Sequence, residues 1–161
     1  MEFINRTLTE SIKKNLHHFP ALAILGPRQC GKSTLAKHLV NENPEARYLD
    51  LEKMSDRNKL SDPEMFFRLN SGKLIILDEV QKLPEIFSVL RSVIDEQNRN
   101  GQFLILGSAS RDLIKQSSET LAGRIAYFRL TPFTLQEVSV TEKNTSDPLF
   151  NPTWLSTKLT P

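Results

Sequence analysis

The segment Gly26-Pro-Arg-Gln-Cys-Gly31-Lys32-Ser33 most constrains what this chain can fold into. It follows the apolar run Ala21 to Leu25 and precedes a helix-forming stretch from Thr34 to Val40. Glycine, four free positions, glycine, lysine and a hydroxyl residue, set between a strand and a helix, form the pattern of a loop that wraps phosphate. At average residue usage, such a match arises by chance in about one chain in two hundred of this size. Gly26 and Gly31 are expected to supply backbone angles that a Cβ forbids and to let the chain approach phosphate oxygens. Successive N–H groups of the loop then face inward as an anion nest. The helix that follows adds its unpaired first-turn donors and the positive end of its dipole. On this reading Gly26, Pro27, Arg28, Gln29, Cys30, Gly31, Lys32, Ser33 and Thr34 hold a nucleoside triphosphate. Lys32 reaches the β- and γ-phosphates, and the Ser33 hydroxyl ligates Mg²⁺.

A second signal fits the first. Leu74 to Leu77 is a continuous apolar run, as expected of a strand buried on both faces, and Asp78-Glu79 ends it. Beside a phosphate loop, Asp78 would hold Mg²⁺ through water and Glu79 would polarise an attacking water as general base. An acid pair at a helix N-terminus is the plainer reading of the same residues. Two further positions stay open between a functional and a bland role. Ser108 ends the strand Phe103 to Leu106 and can sense a γ-phosphate, or it is a strand-end turn serine. Arg124 precedes the last strand and can project into a neighbouring subunit's site to neutralise transition-state charge, or it is a solvated surface arginine. Cys30, among the loop amides, reads as a small loop residue, and His17-His18 as a solvated helix end.

The rest of the chain supplies the scaffold. Its 161 residues suit a domain with a real core, and 39% apolar with 25% charged residues is ordinary for a globular protein. A net charge of +2 makes no electrostatic case for nucleic acid. No apolar run approaches the ~20 residues of a membrane span, and the first residues lack a signal-peptide layout. One cysteine rules out a disulfide within the chain, so a cytoplasmic location is expected. Strands at Ala21 to Leu25, Arg47 to Leu51, Leu74 to Leu77, Phe103 to Leu106 and Ile125 to Leu130 alternate with helices. These are a capped helix over Thr7 to Phe19 with Thr7 and Glu10 at capping-box spacing, one from Pro63 to Leu69, one opened by Pro84 and closed by Asn100-Gly101, and a short one over Arg111 to Gln116. A helical turn ends near Val138. This alternation predicts an α/β three-layer sandwich on a mainly parallel five-stranded sheet. Residues 1–138 are expected to form the core, and the polar, proline-containing 139–161 a weakly ordered tail.

Taken in order, GPRQCGKST, LIILDEVQ, FLILGSAS and SETLAGRIAYFRLTPFTLQE resemble the Walker A, Walker B, sensor-1 and arginine-finger segments of AAA+ ATPases. More narrowly, GPRQCGKSTLA, LDEVQKLP, GQFLILGSAS and LAGR followed by L-x-PF resemble a prokaryotic family in which an AAA-type domain, AAA_14, precedes a C-terminal domain of unknown function, DUF4143. The resemblance implies a P-loop NTPase of the ASCE/AAA+ type with strand order 5-1-4-3-2 and ATP as the nucleotide. It also implies assembly into homo-oligomers and, by analogy alone, nucleic acid as a partner. Catalytic roles would fall to Glu79, Lys32, Ser108 and Arg124, and metal roles to Ser33 and Asp78. Family members run longer and carry a lid and a further domain that cannot fit in the remaining tail. Slow ATP hydrolysis in isolation is therefore expected, with a nucleotide-binding switch or truncated interaction module of little turnover as the alternative.

Overall fold

A computed structural model describes residues 4–135, 137 and 138. The expected tail 139–161 lies outside the described residues. Residues 7–132 form one compact unit; the described residues 4–6, 133–135, 137 and 138 belong to a second. Within the second, Arg6 and Glu137 form a buried ion pair at 3.1 Å, and the Arg6 guanidinium lies 4.3 Å from the Phe133 ring centroid.

The first unit alternates strand and helix as the sequence predicts. Five strands, β1 (Ala21–Leu25), β2 (Arg47–Asp50), β3 (Ile75–Asp78), β4 (Phe103–Gly107) and β5 (Ile125–Arg129), build one sheet of order β2-β3-β4-β1-β5. Read from the other edge, this is the expected 5-1-4-3-2, and every pairing is parallel. Strand side chains alternate between faces, and both faces are buried. Ala21, Ala23, Leu25, Ile75, Leu77, Phe103 and Ile105 share one core with Phe67, Leu90, Val93, Ile94 and Leu113 from three helices. These helices are α4 (Pro63–Leu69), α5 (Ile86–Gln97) and α6 (Arg111–Thr120). Leu22, Ile24, Ile76, Leu104 and Leu106 point the other way and are also buried, as are Ile12 of α1 (Leu8–Leu16) and Leu35, Ala36 and Leu39 of α2 (Lys32–Glu42). Two apolar faces explain why β1, β3 and β4 read as unbroken apolar runs.

Several boundaries differ from expectation for local reasons. Thr7 already has helical angles and makes no side-chain capping bond, so the capping box does not form. Asp62 does cap α4, accepting from the Met65 amide at 3.0 Å with Pro63 in the first turn. α5 stops at Asn98, which adopts left-handed angles (φ 43°). Gly101, expected to close that helix, serves a different contact: its φ is 65°, and a Cβ there would lie 2.9 Å from the Leu16 carbonyl oxygen. α6 runs on to Thr120, its start capped by the Ser110 side chain accepting from the Leu113 amide. A short helix, α3 (Met54–Lys59), follows β2. Among the described residues no helix is long and apolar enough to cross a membrane.

Candidate functional site

β1 delivers the chain to the loop at Gly26, and α2 leaves it at Lys32. Gln29 (φ 63°) and Gly31 (φ 94°) are both left-handed, and Gly31, as N-cap, leaves the first-turn amides of α2 without a side-chain acceptor. A turn of this kind aims successive N–H groups into one concavity. Gly31 uses the angular freedom expected of it. Gly26 does not: it has no positive φ, and its need for glycine is steric. A Cβ there would fall 2.3 Å from the Leu130 carbonyl oxygen and 2.9 Å from Cys30 Sγ. Cys30 is buried and fills the underside of the loop, whereas Pro27, Arg28, Gln29 and Thr34 are exposed. Lys32 is 5% exposed, its ammonium donating to the Gly26 carbonyl at 3.1 Å and the Pro27 carbonyl at 2.8 Å. An ammonium has three donors, so this clasp leaves one for an incoming anion.

The other strands bring their ends to the same edge of the sheet. Gly107 pairs with Leu25, so Ser108 stands one residue beyond β4, between the loop strand and β3. Asp78, the last residue of β3, is 2% exposed. Its Oδ1 accepts from the Glu79 amide at 2.9 Å and its Oδ2 from the Tyr48 hydroxyl. Tyr48 shares its sheet face with Asp78 and with the strand residues under α2, and Ser33 lies near its hydroxyl. Burial first, then the Asp78 carboxylate, pushes the Tyr48 phenol far above its ordinary range, so it is a neutral donor. Asp78 is therefore held at the Tyr48 hydroxyl, with Ser33, the residue after Lys32, near the same oxygen. Glu79 turns left-handed (φ 56°), a conformation that costs a non-glycine residue about 1–3 kcal/mol. Its carboxylate accepts from the Gln81 side-chain amide, while the other Gln81 side-chain atom, Oε1, is buried without a partner.

Arg124 is elsewhere. Its carbonyl accepts from the Ala21 amide, which puts it at the start of β1, a whole strand from the loop. Its guanidinium binds Asp95 of α5 through two bonds of 2.6 and 3.0 Å. That partner raises the Arg124 pKa, and Arg124 in turn lowers that of Asp95. It does not reach its own chain's loop. Tyr48 and Gln81 are the site residues that sequence reasoning missed. The signal for Tyr48 was a phenol in a strand beside an apolar one, where a hydroxyl needs a partner.

The donor set suits Mg²⁺. A serine hydroxyl and a carboxylate are hard oxygen ligands, and this cation keeps most of its shell as water and phosphate oxygen. Among the described residues no cluster of three His, Cys, Asp or Glu side chains is found.

The AAA_14 family, an AAA domain, matches residues 18–139. The chain belongs to this family. Two relatives, the uncharacterized proteins Mb2031c of Mycobacterium bovis and Rv2008c of Mycobacterium tuberculosis, are each 39% identical over 133 residues. The match covers 83% of this chain but only 30% of either relative. Among solved structures, the Walker-type ATPase PABY2304 of Pyrococcus abyssi superposes with a TM-score of 0.61 at 15% identity, over 91% of this chain and 60% of that one. The DnaC helicase loader gives 0.53 at 16% identity, over 80% of this chain and 93% of that one. At such low identity the two structures speak to the fold, and the fold is that of P-loop ATPases. At the level of the superfamily, the AAA domain is a nucleotide-binding ATPase.

Proposed function

We propose that this chain binds ATP with Mg²⁺ in the Gly26-to-Ser33 loop and hydrolyses its γ-phosphate. The observation that carries the reading is the buried Asp78 carboxylate, held by the Tyr48 hydroxyl at the sheet edge where the Gly26-to-Ser33 loop clasps the buried Lys32 ammonium. Loop amides and the α2 N-terminus take phosphate oxygens, and Lys32 turns its remaining donor toward the β- and γ-phosphates. Ser33 and Asp78 would hold Mg²⁺, which would supply charge neutralisation for the phosphates. Glu79 orients and deprotonates the attacking water, and Ser108 contacts the γ-phosphate from the neighbouring strand end. In a homo-oligomer, Arg124 leaves Asp95 to serve the next subunit's site. By family-level analogy alone, nucleic acid is a further partner to test, with loss of affinity at rising salt as its signature.

One observation favours the second reading, a nucleotide-dependent switch with little turnover: the Glu79 carboxylate is already held by Gln81. Glu79→Gln separates the two readings. For an ATPase, phosphate release falls at least about a hundredfold while ATP stays bound, the usual scale of a lost general base. For a switch, wild type is as slow as the variant, and hydrolysis by Glu79 is refuted.

A further inference from the structure

The Tyr48 hydroxyl has a role that the loop, the acids and the lysine leave unassigned. Tyr48 sits on β2, an edge strand, yet its oxygen bonds Asp78 on β3 and has Ser33 on α2 near it. The direction of the Asp78 bond matters. The phenol donates to Asp78 Oδ2, so it can offer the nearby Ser33 only its lone pairs, and a Ser33 hydroxyl that turns to it does so as donor. A serine hydroxyl has one hydrogen and two lone pairs. With the hydrogen committed to Tyr48, both lone pairs are left for a cation. Asp78 is fixed at the same time: Oδ1 takes the Glu79 amide and Oδ2 the phenol, so the carboxylate cannot rotate. The ring is itself held, half-buried, with the Lys37 ammonium 5.6 Å from its centroid.

We propose that Tyr48 is a positioning residue of the metal half of the site, its hydroxyl setting the hydrogen direction of Ser33 so that it would present lone pairs to Mg²⁺, and the rotation of Asp78 so that it would accept from a water on that ion. This inference rests on the nucleotide-binding reading and adds a residue to it. It makes β2 a member of the site, through a side chain that touches neither phosphate nor reacting water. Metal-free nucleotide binding, which uses the loop amides and Lys32, does not depend on it.

The test follows from that separation. The whole chain and its Tyr48→Phe variant are titrated calorimetrically with an ATP analogue carrying a non-hydrolysable β–γ bridge, once with EDTA and once with Mg²⁺. The expected result is an EDTA dissociation constant within about twofold of wild type. The gain in affinity on adding Mg²⁺ should fall about tenfold, on the scale of one lost hydrogen bond to a charged group. A Mg²⁺ gain equal to or larger than wild type overturns the proposal while leaving nucleotide binding intact. If wild type binds the analogue in neither buffer, the functional reading itself fails and takes this inference with it.

A wild-type measurement guards against a variant that does not fold. The chain has two tyrosines, so 3-fluorotyrosine labelling gives two fluorine resonances, and Tyr127→Phe assigns them. Adding Mg²⁺ to the chain already holding the analogue should shift the Tyr48 signal and leave the Tyr127 signal in place. An unmoved Tyr48 signal overturns the proposal.

Discussion

Gly26→Ala tests whether the loop is held by contact or by backbone angle, and the two accounts predict opposite signs. Gly26 has an ordinary φ, so on angle alone an alanine would be tolerated and would stabilise by about 0.4–1 kcal/mol through a less flexible unfolded chain. The geometry says otherwise. The new Cβ would lie 2.3 Å from the Leu130 carbonyl oxygen, against about 3.4 Å for ordinary contact, an overlap of roughly 1 Å. That carbonyl cannot easily retreat, because the Leu130 amide is bonded to the Leu25 carbonyl at 2.8 Å and the residue is 2% exposed. On the other side Cys30 Sγ stands 2.9 Å away. Overpacking of this kind costs about 1–3 kcal/mol. In a domain of this size that lowers the melting temperature by about 3–9 °C. The loop has to yield by close to the full overlap, which takes amides aligned for phosphate beyond hydrogen-bond range and weakens ATP binding about ten- to a hundredfold. Thermal unfolding by circular dichroism and an ATP titration read the two effects. A variant that melts at or above wild type with undiminished ATP affinity refutes the contact argument.

Acid stability should carry a mark of Asp56. The Lys59 ammonium at 2.7 Å, and then the Asp50 amide, hold its carboxyl below the usual range. The resulting stabilisation is complete above the ordinary carboxylate pKa near 4 and is lost as pH falls through the lower folded value; urea midpoints for Asp56→Asn should therefore converge on wild type as acid is added, and a constant gap contradicts the assignment. Phe67→Ala should cost about 3–5 kcal/mol, because Phe67 is fully buried and meets the Phe103 ring edge-on at 5.2 Å; a loss under about 1 kcal/mol in denaturant unfolding would remove it from the core.

Much of this was legible from the order of residues. The strands that carry the site are central and buried on both faces, so their apolar runs announce them, and the chemistry stands at their ends: Gly26 to Ser33 after β1, Asp78-Glu79 at β3, Ser108 after β4. Motifs of that kind are local, and local patterns survive folding. What escaped notice depends on elements meeting in space. Tyr48 enters the site because β2 pairs with β3 in a register that sets it on the face beneath α2, and nothing in Arg47-Tyr-Leu-Asp reveals that register. The sequence pattern predicts an angular role for Gly26 because the Leu130 carbonyl lies far along the chain. It predicts that α5 closes at Asn100-Gly101, but the left-handed turn at Gly101 instead meets Leu16, and Asn98 takes the helix end. Gln81 holds Glu79 only because the chain turns back in a single 3₁₀ turn, Val80–Lys82.

The measurement that bears most directly on the central claim is a calorimetric titration of the whole chain with ATP in excess Mg²⁺. The account predicts a saturable isotherm with about one ATP per chain. Heats no larger than dilution, from micromolar to millimolar ATP, would contradict it.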